Sequence, residues 1–455
     1  MNIVILAAGS GKRMQSQLPK VLHKLADQPL ISHVINTALS LRPKKLIVVV
    51  GHQASAIKKM VNTAYKEHII WVEQTEQLGT GHAVAQAAKY LDPHSHTLIL
   101  YGDVPLISQL TLSRLIDQTA NQFGILTIRL NDPSGYGRIL RNSTDSVLGI
   151  VEEKDANDKQ RAISEINTGI ILAPTIALLC WLNTIDNNNA QREYYLTDTV
   201  AKAIADNFQI ITVTPANELE ITGVNSRQQL VNLERAYQLL KANELLAAGV
   251  GLADLNRIDI RGQLNCGTDV FIDINVIFQG EVTIGNNVTI GPHCIIQDAV
   301  IGDNTHIQAY SHIVSTKIGA DAIVGPYARL RPGTDLANNV HVGNFVEIKN
   351  AQISSRTKVN HLSYIGDAKL GSNVNIGAGT ITCNYDGINK HQTVVGNNVF
   401  IGSDSQLIAP ISIADNTTIA AGTTVWRDVP EQKENLVLNN KTQNYKMCSR
   451  KSNKT

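Results

Sequence analysis

Between Ile284 and Val425 an aliphatic residue returns almost every six positions, often with a glycine after it: Ile284-Gly285, Ile290-Gly291, Ile301-Gly302, Ile318-Gly319, Val342-Gly343, Ile365-Gly366, Ile376-Gly377, Ile401-Gly402. A helix repeats every 3.6 residues and a half-buried strand every two, so neither carries a period of six. Short strands stacked as a parallel β-helix do. Ile284, Ile301 and Ile318 stand seventeen residues apart, and Val395 and Ile413 eighteen. Three hexads therefore make one turn of a triangular coil. Small or polar residues such as Gly285, Asn286 and Asn287 are expected at its corners, where they tolerate left-handed backbone. The beat fails between Ile376 and Val395, where Thr382-Cys383-Asn384-Tyr385-Asp386-Gly387 reads as a loop leaving the coil.

Up to about Asn225 the pattern is different. Asn2–Leu6, Leu46–Val50, Thr97–Leu100 and Gly124–Ile128 are short apolar runs that predict buried strands, and Leu30–Leu39, Gln53–Ala64, Gly81–Tyr90 and Leu110–Thr119 carry helical stripes. Such alternation predicts a mostly parallel, Rossmann-like α/β sheet with helices on both faces and ligands at the carboxyl ends of the strands. Between the two patterns, Leu230, Leu233, Tyr237, Leu240 and Leu245 form one long helical stripe. Ser226 and Gln229 have capping-box spacing before it, and Gly249 is a natural stop. The expected domains are residues 1–226, a linker helix over 227–248, and a solenoid over 249–455.

Composition narrows the classes. A chain of 455 residues exceeds one ordinary core. Forty basic against 39 acidic residues leave no nucleic-acid footprint. Five scattered cysteines without CxxC spacing suggest neither a zinc site nor a disulfide framework, which fits a reducing cytoplasm. Met1–Ala8 lacks the basic start of a signal peptide, and the apolar runs are too short to span a bilayer, so no membrane partner is expected. Lys441, Lys446, Arg450, Lys451 and Lys454 close the chain without an acidic residue. They form either a solubilising tail or a local attraction for an anion.

The first strand runs into Leu6-Ala7-Ala8-Gly9-Ser10-Gly11-Lys12-Arg13-Met14, a glycine-rich turn whose N–H groups can approach phosphates. Arg13 and Pro19-Lys20 add cations suited to neutralising a triphosphate. Gln74 precedes Gln77-Leu78-Gly79-Thr80-Gly81-His82-Ala83, and Tyr101-Gly102-Asp103-Val104-Pro105 follows a buried strand. Asp103 is either a Mg²⁺ ligand, being a hard oxygen donor near phosphates, or a helix cap; Thr80 is equally a cap, and His82 reads as a structural helix residue. In this order, with Gly135-Tyr136-Gly137-Arg138, Glu152, Asn167-Thr168-Gly169 and Gly223-Val224-Asn225, the motifs resemble those of sugar-phosphate nucleotidylyltransferases. The resemblance implies that Leu6, Ala7, Ala8, Gly9, Lys20, Gln74, Gly79, Thr80, Tyr101, Gly102, Asp103, Gly137, Glu152, Asn167 and Asn225 bind nucleotide and sugar. It also implies that Asp103 and Asn225 share Mg²⁺. The implied reaction is in-line attack of a sugar-1-phosphate oxygen on the α-phosphorus of a nucleoside triphosphate, with Lys20 and Arg13 neutralising charge.

In the coil, Arg331 and Lys349 are eighteen residues apart and so fall on one edge of adjacent turns, two cations suited to a sugar phosphate. His361 suits a general base toward an amine, with Glu347 to orient it. Equally, His361 is a polar corner residue and the two cations are simply solvated. With His361-Leu362-Ser363-Tyr364, Asn375-Ile376-Gly377-Ala378, Asn384-Tyr385-Asp386-Gly387 and Gly402-Ser403-Asp404, the segment resembles the acetyltransferase half of the bifunctional bacterial enzymes that make UDP-N-acetylglucosamine, and both halves stand in that family's order. The resemblance implies a left-handed parallel β-helix of hexapeptide repeats and a homotrimer sharing its acetyl site between subunits. It implies that Arg331, Lys349, Tyr364 and Asn375 bind glucosamine-1-phosphate and that His361 accepts the amine proton. Asn384 and Ser403 would polarise the thioester, with Ala378, Tyr385 and Ala421 also contacting acetyl-CoA. The family's arginine after the last coil is missing from Leu436-Val437-Leu438-Asn439-Asn440-Lys441, so Lys441 or the tail takes its role.

Together these readings predict a cytoplasmic enzyme that acetylates glucosamine-1-phosphate from acetyl-CoA. It then couples N-acetylglucosamine-1-phosphate to UTP with Mg²⁺, toward cell-wall and lipopolysaccharide synthesis. A single-activity nucleotidylyltransferase with a structural or regulatory coil is one alternative, and a non-enzymatic scaffold is another. The full Arg331, Lys349, His361, Tyr364 and Asn384 set weighs against the first, and intact Lys20, Asp103 and Asn225 weigh against the second.

Overall fold

The structure is a computed structural model that describes residues 1–9, 11–51, 53–432 and 435–439. It divides into two compact units, Met1–Tyr237 and Gln238–Thr455.

In the first unit seven strands pair in the order Ile210–Val213, Phe123–Arg129, Glu165–Pro174, His96–Tyr101, Asn2–Ala7, Lys45–Val50, Ile69–Glu73. All pair in parallel except Glu165–Pro174, which runs antiparallel to both neighbours. The hairpin Gly137–Arg141 and Val147–Val151 extends from that antiparallel strand. Asn2–Ala7 lies centrally and is buried along its length. Ile3 and Ile5 pack on one face with Ile31, Val34 and Ile35, while Val4 and Leu6 pack on the other with Val84 and Ala87. Burial on both faces is why such strands read as unbroken apolar runs rather than as alternation. The helices Leu30–Ser40, Ala54–Tyr65, Thr80–Ala87 and Gln109–Thr119 fall where the stripes predicted them. The helix Arg227–Ala247 begins where Ser226 Oγ accepts from the Gln229 N–H at 3.2 Å. The Gln229 side chain reaches back to the Asn225 N–H at 2.8 Å, one residue earlier than a standard box requires.

The second unit is a parallel coil. Among the described residues eleven short strands form one sheet, and a fourteen-stranded sheet bends around a corner. Ile295–Ile301 pairs through its first half with His312–Val314 and through its second with Thr316–Ile318. The hexad residues Ile284, Ile290, Ile301, Ile307, Ile313, Ile318, Val324 and Leu330 fill the interior. Each fully buried aliphatic side chain contributes about 1.5–3 kcal/mol, and every coil repeats the gain.

Two corners differ in chemistry. At one, Asn287, Asn304, Asp321, Asn339, Asn373, Asn398 and Asn416 adopt positive φ, as expected of asparagine and aspartate. Their side chains bond up the stack: Asn287 to Asn304 at 3.0 Å, Asn373 to Asn398 at 3.0 Å, Asn398 to Asn416 at 3.1 Å. Gly285 and Asn286, expected to share this backbone, are not among the positive-φ residues. At another corner the left-handed positions hold His293, Tyr310, Tyr327 and Phe345. Their rings stack at centroid spacings of 4.8, 4.9 and 5.4 Å. Ring-on-ring contact offsets a backbone that bulky residues otherwise avoid. Small or polar residues are expected at the corners, and this corner carries rings instead.

Asn373 and Asn398 stack although 25 residues separate them, against 17 between Asn287 and Asn304. The difference, 25 − 17 = 8, is the length of the segment 384–391 that leaves the coil before the register resumes at Thr393–Val395.

Candidate active sites

A cavity of about 480 Å³ opens at the carboxyl ends of the central strands of the first unit. Leu6, Ala7, Ala8, Gly9, Lys20, Gln74, Gly79, Thr80, Tyr101 and Asp103 line it, joined by Gln77 and Glu193. The strand Asn2–Ala7 delivers the glycine-rich turn, and His96–Tyr101 delivers Asp103 beside it, tied by the Gly102 N–H to the Leu6 carbonyl at 2.9 Å. Asn225 is held near by two links. Gln229 fixes its N–H, and the Val224 N–H donates to the Asp103 carbonyl at 2.9 Å.

Lys20 is the hub. Its ammonium donates to the Asp103 carboxylate and, at 2.9 Å, to the Asn225 side-chain oxygen. The side chains of Lys20 and Asp103 are only 13% and 17% exposed. Gly11, at φ +58°, makes room for the lysine stem: a Cβ there would sit 2.8 Å from Lys20 Cβ. Asp103 is therefore not a helix cap; the following helix is capped by Ser108, whose Oγ accepts from the Thr111 N–H. Thr80 is not a cap either, since Gly79 holds that position and the Thr80 hydroxyl accepts from the Leu196 N–H at 3.0 Å. His82 packs structurally, its ring 3.0 Å from both Gln74 and Gln86. Arg13 is exposed on the short helix Lys12–Met14 and does not line the cavity.

The expected sugar residues gather beyond Tyr101. Asn167 pairs with Gly137 across the strands, and a Cβ on Gly137 would lie 3.4 Å from the Glu152 carboxylate. Thr197 donates to Glu152 at 2.8 Å. Burial raises the Glu152 carboxyl above its ordinary value despite that bond. Burial, with Glu152 and then Asp103 nearby, pushes the Tyr101 hydroxyl above the usual tyrosine range. Asp198, next to Thr197, is pushed up to about 6, first by burial and then by Asp186, Glu152 and Asp155.

The second constellation sits on the coil. Arg329 pairs in register with Glu347, Leu330 with Ile348, and Lys349 with Gly366. The Arg331 N–H donates to the Ile348 carbonyl at 2.8 Å, so Arg331 and Lys349 are neighbours on adjacent turns. The hydroxyl end of the Tyr364 ring reaches over Gly366, where a Cβ would meet the ring carbon Cζ at 2.6 Å. That close approach aims the hydroxyl along the strand toward the register of Lys349. Lys390, carried back by the segment 384–391, touches Lys349 and holds its ammonium below the ordinary lysine value, with Arg331 adding a smaller push. Reading the sequence missed Lys390 because it lies past the turn residues on which the loop was recognised, outside any period. The segment is itself ordered: Asn384 donates to Asp367, and Asp386 accepts from Asn389, His391 and Ile388, which hold its carboxyl down at about 2.

One expectation is corrected. Glu347 does not orient His361; it takes Arg331 at 2.7 Å and Arg329 at 3.8 Å. The guanidinium groups on its own edge are closer and charged. The ring partner of His361 is Asn344, whose Oδ1 lies 3.1 Å from Nδ1 and which pairs with it in register. Ala378, Ser403 and Ala421 follow one another on successive turns, and Asn375 lies three residues before Ala378, in register with Phe400. A Cβ on Gly377 would meet the Ser403 N–H group, and one on Gly402 that of Ala421. Tyr385 is exposed, its hydroxyl 2.5 Å from the Gly387 carbonyl. Lys441 and the basic tail lie outside the described residues.

Among the described residues no group of three or more acidic, histidine or cysteine side chains is placed to hold a metal alone. Asp103 and Asn225 nevertheless fit one. Both present hard oxygens to a single cation, at present the Lys20 ammonium. Among the described residues the cysteines are free, and no helix is long and apolar enough to cross a membrane.

Both halves of the chain match known families. Residues 3–162 match the MobA-like NTP transferase domain, 260–342 the GMPPB C-terminal domain, and 392–425 the bacterial transferase hexapeptide of six repeats. The bifunctional protein GlmU of Burkholderia vietnamiensis is 56% identical over 447 residues, covering 98% of each chain. That of Paraburkholderia xenovorans is 55% identical over 444 residues, covering 97% of each. A solved UDP-glucose pyrophosphorylase complexed with UDP-glucose aligns at TM-score 0.42 and 17% identity, over 52% of this chain and 97% of that one.

Proposed function

The chain belongs to the family of bifunctional GlmU proteins, and from that premise we propose how its residues divide the labour. It is an enzyme of UDP-N-acetylglucosamine synthesis with uridylyltransferase and acetyltransferase activities, the second on a left-handed parallel β-helix. Two activities set aside the single-activity and scaffold alternatives. Residues 1–226 carry uridylyl transfer, 227–248 form the linker helix, and 249–455 carry acetyl transfer.

In the first unit UTP lies along Leu6–Gly9, Gln74, Gly79 and Thr80. N-acetylglucosamine-1-phosphate meets Gly137, Glu152 and Asn167, with Tyr101 and Gly102 between the two. A phosphate oxygen of the sugar attacks the α-phosphorus in line, and pyrophosphate leaves. The attacking oxygen is already anionic, so no general base is needed. Positioning and charge neutralisation by Lys20, Arg13 and the turn N–H groups lower the barrier. Asp103 and Asn225 hold Mg²⁺, which supplies a Lewis acid for the phosphate oxygens when bound.

In the second unit Arg331, Lys349 and Tyr364 take the phosphate of glucosamine-1-phosphate, and Asn375 takes the sugar. His361 Nε2 accepts the amine proton as nitrogen attacks the thioester carbon. Glu347 serves this site by holding Arg331. Asn384 and Ser403 steady the tetrahedral oxygen, and Ala378, Tyr385 and Ala421 line the path of acetyl-CoA. The coil assembles as a homotrimer that shares this site, and the enzyme works in the cytoplasm.

The observation that carries the reading is the gathering of Arg331 and Lys349 on adjacent turns, with Lys390 brought beside Lys349 by the segment 384–391. An inert coil has no use for like charges pressed together, whereas a phosphate group does. The test is to supply glucosamine-1-phosphate, acetyl-CoA, UTP and Mg²⁺ and follow free thiol and pyrophosphate separately. Asp103→Ala should abolish pyrophosphate release and spare thiol release. His361→Ala should abolish thiol release yet form pyrophosphate from supplied N-acetylglucosamine-1-phosphate. Thiol loss in both variants, or in neither, would refute this division.

A further inference from the structure

Resting on the assignment of Asp103 and Asn225 as metal ligands, we propose that Lys20 is a resident placeholder for the divalent ion. Without nucleotide its ammonium occupies the position between the two oxygens that the metal takes. Ion and nucleotide therefore bind as a coupled pair.

Three observations converge. Both oxygens are already engaged by one nitrogen: the Asp103 carboxylate, and Asn225 Oδ1 at 2.9 Å. The lysine is anchored there, its side chain only 13% exposed and its stem seated against Gly11, where a Cβ would come within 2.8 Å. And the site is poor in protein ligands, since among the described residues no group of three or more acidic, histidine or cysteine side chains is placed to hold a metal there. A Mg²⁺-type ion with two protein oxygens takes its remaining ligands from water and phosphate.

The consequence follows from charge. A divalent ion arriving alone must share Asp103 with an ammonium or evict it, and the single carboxylate cannot neutralise both. An ammonium has three N–H donors, two of them used here, and Lys20 lines the cavity together with Gly9, so the third is left for a ligand there. Phosphates settling on the glycine-rich turn offer Lys20 a stronger partner. As it turns to them, Asp103 and Asn225 become available to the ion, which then also meets those phosphates. The linkage is reciprocal: nucleotide raises affinity for the ion and the ion raises affinity for nucleotide.

The full-length protein is titrated with Mn²⁺ in the absence of nucleotide, and free Mn²⁺ is read by electron paramagnetic resonance. Lys20→Met, which keeps length and removes charge, should bind Mn²⁺ at least about tenfold more tightly than wild type, within the usual range of coupling. Lys20→Arg should stay as weak as wild type. Equal binding by wild type and Lys20→Met would overturn the placeholder and leave the ligand assignment standing. Adding Asp103→Ala to Lys20→Met should erase the gain; a gain that survives would overturn the ligand assignment itself. A measurement on wild type needs no variant to fold. Acylation of Lys20, read by mass spectrometry, should rise as Mn²⁺ is added at constant ionic strength. Unchanged labelling would also overturn the proposal.

Discussion

The two units gather their functional residues by opposite routes. In the first, Lys20, Asp103 and Asn225 meet at one point although 83 and 205 residues separate Lys20 from its partners. A sheet with crossing helices brings them together, and each is fixed by a different element. In the second, Arg331, Lys349 and Tyr364 are neighbours because one turn of coil is 17 or 18 residues long. The first site is a product of topology, and the second is a product of period. A site of the first kind is sensitive to any shift of packing, whereas a site of the second kind tolerates insertions that respect the turn.

The sharpest way to break that comparison is to excise residues 384–391. The coil should close over the gap, because Thr393–Val395 already pairs with Ala368–Leu370. Acetyl transfer should fall about a thousandfold or more, the segment carrying Asn384, Tyr385 and Lys390. The melting of the coil by circular dichroism should barely move. A collapse of the coil on excision would show that the segment is structural and that the period does not stand on its own.

Gly11→Ala tests the other side. The added methyl would press on Lys20 at a backbone φ of +58°, strained for any residue with a side chain. Pyrophosphate release should drop by at least about tenfold with thiol release untouched, because an ångström of displacement at a positioned charge is costly. Full activity would mean that Lys20 has more freedom than its contacts imply.

The smallest effect is a matter of pH. Asp386 is held at about 2, below its ordinary 3.8. Its bonds to Asn389, His391 and Ile388 therefore stabilise the segment fully above about pH 4 and are lost as pH falls toward 2. Resistance of residues 384–391 to an acid-active protease should exceed that of Asp386→Asn above pH 4, and the two should converge near pH 2. A constant difference across that range would dismiss this carboxylate as the fastening.

How much of this is legible in the sequence follows from the same contrast. The period gave the coil, its turn length and the departing segment, because burial repeats with the backbone. It did not give the ring-bearing corner, since stacking between turns is invisible one hexad at a time. Nor did it give the partner of Glu347: two arginines within reach compete for the carboxylate, and only register decides. Lys390 escaped because a residue off the coil has no period. In the first unit the motifs named Lys20, Asp103 and Asn225, but not that the three touch. The antiparallel strand Glu165–Pro174 was missed as well, since its direction is set by neighbours from distant segments. Glu193 reaches the cavity from a stretch that no local pattern marks.

The stacked corner has an optical consequence. Tyr310 and Tyr327 lie parallel at 4.9 Å, with His293 and Phe345 continuing the row. Transition dipoles held so close and so nearly parallel exchange excitation, so winding of that edge carries its own near-ultraviolet signature. Trp71 and Trp181 belong to the first unit, and that row belongs to the second. The third tryptophan, Trp426, also belongs to the second unit, so tryptophan emission reports on both units, while the coupled rings report on the winding of that edge alone.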